Sequence, residues 1–174
     1  MSMVLGQDQY FTNQMHIKQD EGLRLSVYYD TEQIPTIGYG RNMLARPCRL
    51  DIGRDVSTRD GVITLDEAEK MFKYDYNAAY LLALHYFGSK VFTELSEARQ
   101  GVLINMCFNL GTKINQFKKF QARINLGQYE AAAFQMLDSK WAVQVGPRAT
   151  RLSLMMGTNK SYREVLNLLK FRMG

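Results

Sequence analysis

Cysteine, histidine, proline and tryptophan are all scarce here: two, two, three and one among 174 residues. Cys48 and Cys107 lie far apart, and no Cys/His group has zinc-site spacing. Neither a disulfide framework nor a structural zinc is expected, and both cysteines read as free thiols. His16 and His85 are isolated on helical patterns and read as structural. No low-complexity tract or internal repeat interrupts the chain, and no apolar run approaches the roughly 20 residues of a membrane span. The first ten residues, MSMVLGQDQY, have neither a charged leader nor a useful apolar stretch, so no secretory signal is expected. Block charge is absent too. The 22 Lys and Arg exceed the 17 Asp and Glu by five, but the basic residues are scattered. A nucleic-acid binder would carry a basic-aromatic stripe, which is missing. The excess suits an anionic partner such as an acidic wall polymer.

What is present is an ordinary globular composition, 46% hydrophobic and 11% aromatic, long enough for one domain or two small lobes. A helix is expected over about Asp8–Glu21, with Asp8 as N-cap, Phe11, Met15 and Ile17 as apolar contacts, and Gly22 ending it. Leu23–Asp30 alternates apolar and polar residues, Ile34–Tyr39 is short and β-rich, and Thr31-Glu32-Gln33 between them reads as a hairpin loop. Arg41–Asp60 reads as loop with at most a short helix, followed by a minor strand at Gly61–Ile63. Thr64 and Glu67 form a capping box opening a helix into the mid-eighties. Ser96 caps a nearly all-apolar helix, Glu97–Leu110, in which Asn105 and Asn109 each need a polar partner. Helices at about Gln116–Leu126, Tyr129–Leu137, a short one after Pro147, and Tyr162–Lys170 follow. The last opens on a second capping box, Ser161 to Glu164. The sum is an α+β fold, mainly helical, with a small antiparallel sheet.

One stretch, EGLRLSVYYDTEQIPTIGYGR from Glu21 to Arg41, concentrates groups of catalytic type among turn signals. Glu21 stands at a helix C-terminus, Asp30 at a strand end and Thr36 in the next strand. Glycoside hydrolysis needs an acid at the leaving oxygen and a second group that directs water or attacks the sugar. A hairpin could fold Asp30 and Thr36 back toward Glu21. Spacing alone does not separate this from a set of solvated polar residues.

The pattern Glu-x8-Asp-x5-Thr in DEGLRLSVYYDTEQIPTIGYG resembles the active-site hairpin of the T4-type phage lysozymes, glycoside hydrolase family 24. GVITLDEAEKMF resembles that family's entry to its interlobe helix, INMCFNLG its buried central helix, and SKWAVQVGPRATR the segment returning a basic side chain to the acid. The blocks occur in family order from Asp20 to about Arg151. The resemblance implies a single lysozyme-like domain: a β lobe over 22–64, an interlobe helix over 65–86, and a helical lobe from 1–21 with 87–174. It implies a muramidase that cleaves the β-1,4 link from N-acetylmuramic acid to N-acetylglucosamine by acid-assisted attack of water, with inversion and without a cofactor. Glu21 matches the general acid, Asp30 the water-directing carboxylate, Thr36 the hydroxyl that helps hold the water, and Arg148 the acid's basic partner. Phe108 matches a substrate contact, and Trp141 a core tryptophan.

Some positions depart from the pattern. Arg41 stands where a close phage relative carries histidine, and Asp75 matches that histidine's carboxylate partner, so an Arg41–Asp75 ion pair is expected. Asn42, Phe120 and Gln135 differ in type from the residues at matching sugar-contact positions, and Gln135 alone keeps an amide. The expected partners are bacterial peptidoglycan and a separate holin for export. A monomer made in the host cytoplasm and acting in the periplasm is expected. The rival enzymatic reading is a lytic transglycosylase, which needs no water-directing carboxylate. The rival outside enzymology is an inactive wall-binding or virion structural module.

Overall fold

The computed structural model describes the backbone of residues 7–173 and the side chains of residues 12–170. The side chains of Asp8 and Phe11 lie outside this range. In chain order come α1 (Gln7–Glu21), β1 (Arg24–Tyr29), β2 (Pro35–Gly38), β3 (Arg41–Asn42), α2 (Arg49–Ile52), α3 (Leu65–Phe87) and α4 (Ser89–Glu94). Then follow α5 (Glu97–Leu110), a 3-10 turn (Gly111–Gln116), α6 (Lys118–Asn125), α7 (Tyr129–Leu137), α8 (Lys140–Val145), α9 (Pro147–Thr158) and α10 (Tyr162–Met173). Helix dominates, and the strands form one antiparallel sheet in the order β1-β2-β3, the α+β arrangement expected. The residues group into two compact units, Gln14–Ala78 in one and residues 1–13 with 79–174 in the other.

In the unit of residues 14–78, α1 ends where Gly22 adopts φ +71° and its N–H donates to the Lys18 carbonyl at 2.9 Å. That is the left-handed turn a glycine makes without strain. The helix start differs from expectation: Asp8 falls inside α1 rather than capping it. In the sheet, β1 and β2 pair Tyr28 with Thr36 and Arg24 with Gly38, so β1 carries extra residues between these points. Through this bulge β1 turns its backbone to the other side. Val27 N–H donates to the Gly61 carbonyl at 3.0 Å, and the Leu25 carbonyl accepts from Ile63 N–H at 2.8 Å. Gly61–Ile63 therefore does touch the sheet, but as a single bridge. The third strand is Arg41–Asn42, paired with β2.

The bulge also overturns the simple alternation in β1. Leu23, Leu25 and Tyr29 stay exposed, and Val27 is the one residue of that series packed on the core. The fully buried strand is β2. Its Ile37 joins Met43, Cys48, Ile63, Ala68 and Met71 in one apolar cluster. The capping box of α3 forms as expected: Thr64 N–H donates to Glu67 Oε1 at 3.0 Å, and Glu67 N–H to Thr64 Oγ1 at 3.1 Å.

In the second unit, α5 buries Gln100–Cys107. Its N-cap is Ser96, which accepts from Arg99 N–H at 3.3 Å. Both asparagines find partners: Asn105 Oδ1 accepts from Arg148 Nε, and Asn109 Oδ1 from the Trp141 indole, each at 2.8 Å. The helix after Pro147 is not short. It runs to Thr158 and packs against α5, α7, α8 and α10, burying Ala149, Leu152, Met155 and Met156 at three- and four-residue steps. Gly157 lets it approach α7, since a side chain there would press on Ala133. The expected Gln116–Leu126 helix forms as α6, beginning two residues later because Phe117 caps the 3-10 turn before it. Phe117 carries ψ +54°, and its ring packs edge to face on Phe120 and Trp141. Two short helices, α4 and α8, were not expected. Ser139 caps α8 by accepting from Ala142 N–H at 3.1 Å. The second capping box also forms, with Ser161 N–H on Glu164 Oε2 at 2.8 Å.

Candidate active site

Glu21 is the last residue of α1, half-buried. Its carboxyl lies against the open α-carbon of Gly40, where any side chain would collide with Oε2. Gly40 has φ +74°, which glycine adopts without strain, and a Cβ there would displace the Glu21 carboxyl.

The hairpin joins Asp30 and Thr36 through one peptide unit. Asp30 Oδ1 accepts from Ile34 N–H at 2.9 Å and from Glu32 N–H at 2.8 Å. The Ile34 carbonyl accepts from Asp30 N–H at 3.1 Å and from the Thr36 hydroxyl at 2.9 Å. An aspartate that holds its own turn in this way fixes the loop, and it lets Gln33 take φ +61°. Two consequences matter chemically. Asp30 commits one carboxylate oxygen to the backbone, and the other has no protein partner among the described residues. The Thr36 hydroxyl, buried with its residue 4% exposed, spends its hydrogen on Ile34, so its oxygen remains an acceptor.

Tyr28, opposite Thr36 in the sheet, is the neighbour that sequence reasoning missed. Burial raises its phenol pKa, the negative charge of Glu21 pushes it further, Arg24 opposes, and Asp30 adds to the rise. Its ring therefore feels both carboxylates, while the Arg24 guanidinium lies 4.7 Å from the ring centroid. The only signal in the sequence was the aromatic pair Tyr28-Tyr29, which strand composition alone explains.

The Arg41–Asp75 pair forms, with Nε to Oδ2 at 3.1 Å and Nη2 to Oδ1 at 2.9 Å. It belongs to a larger set in which Arg41 and Asp51 are buried and Asp75 and Arg46 partly so. Arg41 also pairs with Asp51, and Arg46 reaches Asp51 Oδ2 at 3.0 Å. Burial raises the Asp75 carboxyl despite Arg41. At Asp51 burial acts the same way but is outweighed by Arg46 and Arg41, which hold that carboxyl below its ordinary range. Asp51 and Arg46 could not be assigned from the sequence, because they reach this place through an irregular loop.

The proposed sugar contacts fare unevenly. Asn42 directs Oδ1 to Leu44 N–H and Ala45 N–H, each at 2.9 Å, so that oxygen holds a turn. In the other unit, Phe108 and Gln135 are half-buried, whereas Phe120 is buried and packs edge to face on Phe87 at 5.8 Å between ring centres. Phe120, Gln135 and Trp141 line an open cavity of about 560 Å³, flanked by Lys113, Lys118, Lys119 and Lys140. Arg148, which does not line this cavity, is buried against Asn105.

A mainly helical chain with a small three-stranded antiparallel sheet has the lysozyme-like fold. Residues 18–154 match the phage lysozyme family, and the chain belongs to it. It is similar to the pre-baseplate central spike protein Gp5 of Enterobacteria phage T4, 31% identical over 160 residues, covering 84% of this chain and 28% of that protein. It therefore spans just over a quarter of that relative's length. It is also similar to two Dictyostelium discoideum proteins described as probable T4-type lysozymes 2 and 1. They are 29% and 30% identical over 162 residues, covering 84% of this chain and 95% of each relative.

Proposed function

We propose that this chain is a muramidase that hydrolyses the β-1,4 bond between N-acetylmuramic acid and N-acetylglucosamine in bacterial peptidoglycan, with inversion. The observation that carries this reading is the Asp30–Ile34–Thr36 arrangement. An attacking water can give one hydrogen bond to the unpartnered Asp30 oxygen and the other to the Thr36 oxygen, leaving a lone pair for the anomeric carbon. Glu21, as general acid, protonates the glycosidic oxygen as the C–O bond breaks. Water forms the new C–O bond from the opposite face, and its proton passes to Asp30. Glu21 regains a proton and Asp30 returns one through solvent. Arg148 is proposed as the acid's basic partner. Phe108 and Gln135 are proposed as substrate contacts; Phe120 and Asn42 are weaker candidates because packing and a turn already engage them.

Glu21→Gln removes the proton donor at nearly constant shape. Lysis of outer-membrane-permeabilised cells, followed by turbidity, should fall by about two to four orders of magnitude. Undiminished lysis by folded Glu21→Gln protein overturns the assignment. New reducing ends among the products support hydrolysis, whereas anhydro-muramic ends would make the chain a transglycosylase, for which Asp30 has no evident task.

The likeness to a T4 spike protein favours a second reading, in which this chain serves as a wall-directed module of a virion. Absence of turnover by wild-type protein, with retained binding to sacculi, would select the inactive form of that reading. A separate holin is proposed as the chain's route to the wall. Among the described residues no helix is long and apolar enough to cross a membrane.

A further inference from the structure

We infer that Glu69 is a positioning residue: through Lys18 and Tyr39 it clamps both walls of the slot that holds the Glu21 carboxyl. This rests on the reading of Glu21 as general acid. One wall is the last turn of α1, which carries Glu21 itself; the other is the Gly38-Tyr39-Gly40 turn, whose Gly40 α-carbon abuts Oε2. Glu69 stands on α3 and uses one oxygen for each wall. Oε2 accepts from Lys18 Nζ at 2.5 Å, one helical turn before Glu21, and Oε1 accepts from the Tyr39 hydroxyl at 2.6 Å.

The parts brace one another. Lys18 Nζ lies 5.2 Å from the Tyr39 ring centroid and 4.8 Å from that of Phe72. Tyr39 meets Phe72 edge-on, 5.2 Å between centres. Lys18 balances the charge of Glu69, so the clamp presents no net charge to the acid. Burial and the Glu69 hydrogen bond push the Tyr39 phenol up to about 12, and it stays a donor throughout the neutral range. Burial works against ionisation of Glu69, yet Lys18 and Tyr39 hold its carboxyl below the ordinary range, so it stays an acceptor.

A purely structural role would be small. The side chains of Lys18 and Glu69 are 25% and 42% exposed, and such solvent-screened pairs contribute little to stability. Misplacing an acid that must meet one oxygen atom costs far more in rate. The test compares Glu69→Ala, Glu69→Gln and Tyr39→Phe with wild type on a soluble peptidoglycan oligosaccharide. The expected result is melting close to wild type, kcat lowered by between about tenfold and about a hundredfold, and KM unchanged. Glu69→Gln, which keeps an acceptor for Tyr39, should lose less than Glu69→Ala. The exchange Lys18→Glu with Glu69→Lys should recover part of the loss. The carboxyl-carbon resonance of Glu21 should move in Glu69→Ala.

Wild-type kcat in folded Glu69→Ala or Tyr39→Phe, with an unmoved Glu21 resonance, overturns the inference, as does a rise in KM at constant kcat. Should Glu69→Ala fail to fold, the near-isosteric Tyr39→Phe decides alone. Failure of the underlying reading looks different: Glu21→Gln would then remain active whatever the Glu69 variants do.

Discussion

The Thr36 hydroxyl does two things at once. It donates to the Ile34 carbonyl and offers its oxygen to whatever occupies the space beside Asp30. Thr36→Val keeps the shape but removes both. The Ile34 carbonyl still accepts from Asp30 N–H, so the stability loss should be near the value of one hydrogen bond, about 1 kcal/mol. Turnover should fall at least about tenfold with KM little changed, while Thr36→Ser recovers most of it. Kinetics on a soluble oligosaccharide, with a melting curve for each variant, separate the two effects. Unchanged turnover in Thr36→Val would remove the hydroxyl from the proposed mechanism. At this scale the sequence was readable where a residue's partners are close in the chain: Asp30, Ile34 and Thr36 lie within seven positions. The Lys18–Glu69 contact spans 51 positions, and no local pattern could announce it.

Among the elements, the entry to α3 is the best-defined junction. Glu67 closes the capping box with Thr64 and also takes Arg54 Nε at 2.7 Å and Nη2 at 2.8 Å. The Arg54 hydrogen bond, then the Thr64 N–H, lower the Glu67 carboxyl from 4.5 to about 2. A carboxyl depressed in the folded state adds stability above its unfolded pKa and loses it as pH falls through the folded one. Glu67→Gln should therefore melt below wild type near neutrality. That difference should shrink from about pH 4.5 and vanish near pH 2. Melting curves across this range check it; a gap that persists at pH 2 would mean that shape rather than charge matters. Capping boxes were legible because their chemistry is contained in four residues. The face of β1 was not, because the bulge that reverses it is set by pairing with Gly61–Ile63, more than thirty positions away. The late start of α6 was equally hidden, since Phe117 before it is engaged in aromatic packing with Trp141.

For the whole molecule, the formal charge of +5 is spread rather than clustered. If an acidic wall is the substrate, attraction should be long-ranged and weak at each residue, hence easily screened. Binding of the Glu21→Gln protein to purified sacculi should fall several-fold as salt rises from about 0.05 to about 0.5 M, since the screening length shortens to a few ångströms. Binding indifferent to salt would shift the weight to neutral sugar contacts.

The sequence by itself determined the helical periodicity, the caps that begin α3, α5 and α10, and the glycine that ends α1. Each of these depends on residues a few bonds or one turn apart. Tertiary structure alone decided which strand completes the sheet, which helix becomes the hub of the larger unit, and which side chains surround Glu21. Those outcomes arise from burial and hydrogen bonding between segments remote in the chain. Their energies depend on three-dimensional neighbours, and local spacing carries no record of them.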